Sequence, residues 1–158
     1  MKLDIGCGNH KDPGWFGIDI QDLPGVDLVW DLNNHPWPLD SESIGQAKAW
    51  HIVEHIPKVA VTAAGTRRPF IEFMNEIWRI LIVGSILDIE TPYGSSAGFI
   101  HDPTHVNQID ELTFEHFDPT YPRYLTYHPR PWRINNLIWT VDGNVNILLR
   151  KILEINMP

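Results

Sequence analysis

The sequence predicts an α/β domain whose mostly parallel sheet ends in an antiparallel hairpin. Short apolar runs that end at an acid or a glycine alternate with polar connections along most of the chain, the order of a buried parallel sheet. One amphipathic stretch behind Pro69 has helical spacing. Asp142-Gly143, between two apolar-polar alternations, is the strongest short hairpin signal in the chain.

Leu3-Asp4-Ile5 begins as a strand buried on both faces and runs into Gly6-Cys7-Gly8, a turn with no Cβ at either end. Asn9-His10-Lys11-Asp12-Pro13-Gly14 is a polar connection with turn chemistry. Trp15-Phe16-Gly17-Ile18-Asp19-Ile20 reads as the second strand and residues 26–32 as the third, each ending near an acid. Pro36-Trp37-Pro38 keeps residues 33–40 out of a helix. Residues 47–52 give the fourth strand. A helix then opens at Pro69, carries Ile71, Met74, Trp78 and Leu81 on one face, and closes near Gly84. Residues 85–90 form the fifth strand, and a long loop over 91–108 leads to a short helix at 110–117. Residues 121–131, with three prolines, read as irregular loop; 132–141 and 145–155 are the hairpin strands. Trp132 and Trp139 stand seven apart, so regular alternation puts them on opposite faces, one in the core.

With 158 residues and no repeat or linker, the chain is expected to be one domain, 1–158. A formal net charge of −8 lacks the basic footprint for duplex nucleic acid. One cysteine excludes an intrachain disulfide and suits a reducing compartment. Asp4 stands where a signal peptide is apolar, and no run reaches membrane-spanning length, so a cytoplasmic protein without membrane contact is expected.

Five segments in order carry a more specific resemblance. They are Leu3-Asp4-Ile5-Gly6-Cys7-Gly8; Asp19; Asp31-Leu32 with Pro36-Trp37-Pro38-Leu39; His51-Ile52-Val53-Glu54-His55-Ile56; and Asn75-Glu76-Ile77-Trp78-Arg79-Ile80-Leu81. Together they resemble the class I S-adenosylmethionine-dependent methyltransferases, in the group related to the type 11 methyltransferase domain, over nearly the whole chain. The resemblance implies a Rossmann-like three-layer αβα fold and S-adenosyl-L-methionine as cofactor. Asp19 follows Gly8 by only eleven positions, with Pro13-Gly14 between them, so the first helix is expected to be shortened. The lysine-proline-glycine-glycine turn usual before the fifth strand is missing at Leu81-Ile82-Val83-Gly84-Ser85. No helix precedes the first strand, which leaves one pocket edge for a partner chain, in a homodimer for example, or leaves affinity modest.

On this resemblance the cofactor-binding residues are Asp4, Gly6, Cys7, Gly8, Asp19, Ile20, Asp31, Leu32 and His51. The glycine turn admits the amino-acid tail and Asp4 holds the turn or the tail's ammonium. Asp19 accepts from both ribose hydroxyls, Asp31 takes the adenine amino group, and Leu32 covers the ring. Residue by residue, the plain alternatives are turn acids for Asp19 and Asp31 and a small buried side chain for Cys7. Methyl transfer needs alignment, and a base only where the nucleophile must lose a proton. His51, Glu54 and His105 are the catalytic candidates; for Glu54-His55 the alternative is a helix N-terminal turn. Tyr93, His101, Asp102 and His105 mark an acceptor loop. No metal site is expected: Pro103 keeps His101 and His105 off one helix face, and no third ligand stands out.

The function expected is methyl transfer to a small-molecule or glycan-like acceptor; the alternative is a non-catalytic cofactor-binding module for regulation or assembly. A nicotinamide-dependent oxidoreductase fits less well, because Lys11 replaces the third glycine of its fingerprint and Asp19 comes too early.

Overall fold

The computed structural model describes residues 1–124, 127 and 129–153. The elements follow the order β1 (Lys2–Ile5), β2 (Phe16–Asp19), β3 (Leu28–Val29), β4 (Ile44–Trp50), β5 (Ala60–Thr62), β6 (Gly65–Arg67), α1 (Pro69–Ile80), β7 (Leu81–Pro92), α2 (Ala97–Ile100), β8 (Trp132–Trp139) and β9 (Asn144–Lys151). Single 3-10 turns lie at Val53–His55 and Thr113–His116. The main sheet has the order β3-β2-β1-β4-β7-β9-β8. Its first five strands are parallel; β9 runs antiparallel to both β7 and β8. This is the expected α/β sheet with its antiparallel end.

Residues paired across a ladder share a face, so the register divides the side chains in two. One face carries Leu3, Ala47, Leu87 and Leu149 in one row, with Ile5, Ile18, Ala49, Ile89 and Ile147 beside them, all fully buried. Against it pack Phe70, Phe73, Met74, Ile77 and Ile80 of α1, together with Trp37, Phe114 and Phe117. The buried stripe of the helix is rotated from the expected one: Ile71 and Trp78 lie on its flank, Met74 belongs to both, and Leu81 is buried just past the helix end. Residues 33–40 are the predicted loop, and Trp37 pins that loop into the core. Its amide donates to Glu76 Oε1 at 2.6 Å, its indole N–H donates to the Leu32 carbonyl, and its ring meets Phe73 edge-on.

The opposite face is polar. Asp4, Lys48 and Asp88 share one row, and Trp50, Glu90 and Asn146 the next. Among the described residues no long helix covers it. The expected third layer is therefore missing, and the shortened first helix is reduced to turns over residues 6–15. A loop replaces it at close range. A Cβ on Gly17 would come 2.6 Å from Cys7 Sγ and 2.8 Å from Lys11 Cδ, so no helix fits over this point. Asp27 ties the loop down, accepting from the Gly17 amide and from Lys11 Nζ.

Three further expectations change. The helix ends at Ile80, not near Gly84; Gly84, at φ +85°, sits where β7 shifts register against β4 and bulges outward. The third strand shrinks to Leu28–Val29, and the predicted helix at 110–117 to the 3-10 turn Thr113–His116. Trp132 and Trp139 share the core face, because the β8 register shifts between Ile134 and Asn136 and the extra residue reverses the alternation. Trp132 is fully buried, whereas Trp139 is half-exposed and stacks edge-on against Tyr93. The end of the predicted last strand, residues 154–155, lies outside the described residues. Among the described residues no helix is long and apolar enough to cross a membrane.

Candidate functional site

The chain leaves β1 for β2 and β3 on one side, then returns to place β4 on the other. The strand order thus reverses between β1 and β4, and a crevice opens outside their carboxyl ends, the usual ligand position in such sheets. The Gly6-Cys7-Gly8 turn leaves β1 at this point. The Gly6 and Cys7 amides both donate to the Ile18 carbonyl, at 2.8 and 3.3 Å. Gly6, at φ +71°, is demanded by packing, since a Cβ there would meet Ile52 at 2.9 Å. Gly8 differs. At φ +51° it has nothing within 4 Å of where a Cβ would stand, so the backbone faces open space.

Asp19 closes β2 and anchors this turn. Its Oδ2 accepts from the Gly8 amide at 2.8 Å and its Oδ1 from the Gln21 amide at 2.9 Å. Each carboxylate oxygen has a second lone pair, so two acceptor positions remain, one on each. Ile20 beside it is exposed. Asp31 closes an Asx turn, accepting from the Asn33 amide at 2.9 Å and the Asn33 side chain at 3.1 Å.

Three expected site residues are engaged elsewhere. Leu32 belongs to the core. Asp4 is buried on the polar sheet face, where Lys48 Nζ lies 3.1 Å from its carboxylate and 2.6 Å from that of Asp12. Burial raises the Asp4 carboxyl above its ordinary value despite Lys48. Lys48 is flanked by the Trp15 and Trp50 rings, which fixes this polar pair beneath the loop. Cys7 is a buried thiol pushed up by burial and by the charges of Asp4 and Asp19, and its Sγ packs against Gly17.

A second group of residues lies beyond β4 and β7. His51 has φ +53°, a backbone conformation uncommon for a non-glycine residue, and its amide donates to the Glu90 carbonyl. Its ring lies 3.5 Å from both Glu54 Oε1 and Glu90 Oε1. Glu54 is fully buried; Oε2 accepts from the Thr91 hydroxyl at 3.0 Å, and Oε1 has no hydrogen-bond partner. The acceptor loop docks on this turn, with the Val106 and Asn107 amides donating to the Glu54 carbonyl and Asn107 Nδ2 to the Val53 carbonyl. His105 is thereby brought to 4.0 Å from Glu54 Oε1 and 3.6 Å from Asp102 Oδ2. His101 is exposed at the end of α2, outside this cluster of side chains. The Tyr93 hydroxyl donates to Glu111.

Sequence reasoning missed two features here. His55 stacks on His105 at 4.7 Å between ring centroids, and ligand atoms of Glu54, His55 and His105 lie within 4.8 Å of one another. The turn after β4 thus brings two side chains, Glu54 and His55, to His105, while His101 stays apart; His51-x-x-Glu54-His55 was the only sequence signal for this grouping. A cavity of about 510 Å³ was also missed. It has an apolar floor including Phe70, Leu112 and Phe117, with Lys58, Arg68 and Arg123 at its rim. It shares no residue with the glycine turn, so the crevice at the strand reversal, and not this cavity, is the candidate cofactor site.

No protein-family model matches the chain, and no curated protein matches it by sequence. Solved structures do match. At 12% identity and a TM-score of 0.67, the chain matches a chain of the Haloferax volcanii complex that contains the Trm112 methyltransferase activator. The match covers 99% of this chain and 83% of that one. A SAM-dependent methyltransferase from Methanosarcina mazei gives 17% identity and 0.60, over 97% of this chain and 92% of that one. The Burkholderia thailandensis 1,6-didemethyltoxoflavin-N1-methyltransferase, with 1,6-didemethyltoxoflavin and S-adenosylhomocysteine bound, gives 11% and 0.65, over 96% and 70%. At these identities the likeness is one of architecture: the chain has the Rossmann-like fold of the S-adenosylmethionine-dependent class I methyltransferases.

Proposed function

We propose that the chain binds S-adenosyl-L-methionine across the crevice between β1 and β4 and transfers its methyl group to a small-molecule acceptor. One observation carries the reading: at the strand reversal, an anchored carboxylate, Asp19, stands beside a glycine, Gly8, whose backbone faces open space. The turn admits the amino-acid tail, and the remaining lone pairs of Asp19 receive the ribose diol. Asp31 stands at the adenine end, with Ile20 available to cover apolar surface. Leu32 and Asp4 are left out because the core and Lys48 hold them. The fold of the neighbours supports the cofactor, and one of them holds a small molecule beside S-adenosylhomocysteine.

The cofactor supplies an activated methyl carbon when bound; this chain's residues align the acceptor and exclude water. His51 stands at the exit of β4 next to the crevice, oriented by Glu54 and Glu90, and is the group placed to take a proton from a hydroxyl acceptor. Glu54 and His105 form the wall behind it, and the loop with Asp102 faces the acceptor. The test is calorimetric titration with S-adenosylmethionine and with a nicotinamide dinucleotide, followed by an acceptor panel read as S-adenosylhomocysteine released. Saturable binding of the first ligand alone, with turnover on a panel member, is expected. Binding of the dinucleotide instead would overturn the reading; binding without turnover on any member would leave a non-catalytic module.

A further inference from the structure

We propose that Glu54, His55 and His105 form a binding site for one divalent transition-metal ion, of the class that takes imidazole nitrogen and carboxylate oxygen together. The Thr104 hydroxyl donates its one proton to Asp102 Oδ1 at 2.6 Å, so toward His55 Nδ1, 3.1 Å away, its oxygen acts as acceptor. His55 therefore carries its proton on Nδ1 and leaves Nε2 as a lone pair. His105 Nδ1 stands 3.2 Å from the Phe99 carbonyl, which only accepts, so its proton is on Nδ1 and its Nε2 is also a lone pair.

The third group is Glu54 Oε1, fully buried and without a hydrogen-bond partner. It lies 4.0 Å from His105 Nε2. Imidazole and carboxylate ligand atoms of the three residues thus gather around a buried oxygen that no hydrogen bond satisfies, an arrangement that a cation relieves; the other group facing that oxygen is His51, whose Nδ1 lies 3.5 Å away. Ligand atoms of the three residues fall within 4.8 Å of one another. Bonds of about 2.0–2.1 Å in tetrahedral geometry put ligand atoms about 3.3 Å apart, so closure needs shifts below about 1.5 Å. Both imidazoles already have their outer nitrogen fixed by a carbonyl or a hydroxyl, the arrangement that orients metal-bound histidines.

The donor set selects the metal. It has no thiolate, since Cys7 packs against Gly17, and it has two imidazoles, which hard cations such as magnesium do not favour. Three protein ligands leave a position open for water or an acceptor oxygen, with Asp102 Oδ2 3.6 Å from His105 Nε2 as a further neighbour. The competing occupant is a proton, on His105 Nε2 between Glu54 and Asp102 or on His51 Nδ1 facing Glu54 Oε1, which would need no metal.

The experiment uses the full chain without an affinity tag, stripped with a chelator, then titrated calorimetrically with Zn²⁺ and spectroscopically with Co²⁺. One ion per chain is expected, with micromolar or tighter affinity and a visible Co²⁺ spectrum of low symmetry. His55→Ala, at a half-buried ring, should lower affinity at least tenfold while the circular dichroism of the stripped protein stays unchanged. His105→Ala and Glu54→Gln should do the same, and His101→Ala, an exposed histidine of the same loop, should bind as the parent does. Absence of saturable binding to the parent, or equal binding by the parent and by folded His55→Ala, would overturn the proposal. Metal binding is read directly, so the site stands or falls independently of whether the chain transfers methyl groups.

Discussion

Replacing each glycine of the β1 turn with alanine separates what the fold needs from what the ligand needs. Both residues have positive φ, so either alanine costs about 1–2 kcal/mol in backbone strain. Gly8→Ala adds nothing else, because no atom lies within 4 Å of the new methyl. For a chain of this size that corresponds to a melting temperature lower by about 2–8 °C. Gly6→Ala also drives a methyl to 2.9 Å from Ile52, whose Cβ lies only 3.0 Å away and cannot swing aside. Overpacking of that kind adds about 1–3 kcal/mol, so Gly6→Ala should lose about 2–5 kcal/mol in all. Ligand binding should rank the variants differently. The Gly8 methyl would project into the space assigned to the cofactor, and affinity for S-adenosylmethionine should fall at least tenfold, about 1.4 kcal/mol, in a protein that still folds. Urea denaturation and calorimetry on both variants decide it. Unchanged affinity in Gly8→Ala would show that the ligand does not pass over Gly8. A stability loss there as large as in Gly6→Ala would show that the space is not open.

Asp19→Ala should lose cofactor affinity and also about 1–3 kcal/mol of stability, because it strips a charged acceptor from the Gly8 and Gln21 amides. Asp19→Asn should recover part of the stability and little of the affinity, read from the same two assays. For Glu76, burial works against its charge, but the Arg79 hydrogen bonds and the Trp37 amide outweigh it and hold the carboxyl below its ordinary value of 4.5. A lowered folded value means stability that is fully present above 4.5 and is lost as pH falls through the folded value. Urea midpoints should therefore drop in acid, and Glu76→Gln should flatten that drop. Trp132→Ala should cost about 3–5 kcal/mol. Trp139→Ala, at a half-exposed ring, should cost about 1 kcal/mol or less by the same denaturation assay.

The parts of the fold legible in the sequence are those set by local pattern. Leu3 and Ile5, Ile18, Ala47 and Ala49, Leu87 and Ile89 occupy the core face as their period of two requires. Asp142-Gly143 makes the turn between β8 and β9. What escaped the reading depends on partners distant in sequence. The extra residue between Ile134 and Asn136 reverses the strand's parity, and nothing in the local alternation announces it. The β5–β6 hairpin turns at Ala63-Ala64, which carries none of the usual turn residues. The missing helix over the polar sheet face was half visible: the interval to Asp19 was too short for one, but the contact of Cys7 and Lys11 on Gly17 that replaces it is tertiary.

The same division runs through the site. Gly6, Gly8, Asp19 and His51 are gathered at the crevice because strand ends converge at the reversal, which the element order already implies. That the Leu32 side chain packs in the core and that Asp4 faces Lys48 is not legible locally, because position along a strand does not tell which neighbours surround a side chain. Glu54, His55 and His105 come together only because the Val106 and Asn107 amides dock on the Glu54 carbonyl, a contact across half a hundred residues that no spacing rule contains.

A crystal structure of the chain grown with S-adenosylhomocysteine tests the central claim most directly. It should show the ribose diol on Asp19 and the amino-acid tail against the Gly6-Cys7-Gly8 turn, above the exposed backbone of Gly8. Ligand density elsewhere, or an empty crevice at saturating ligand, would contradict it.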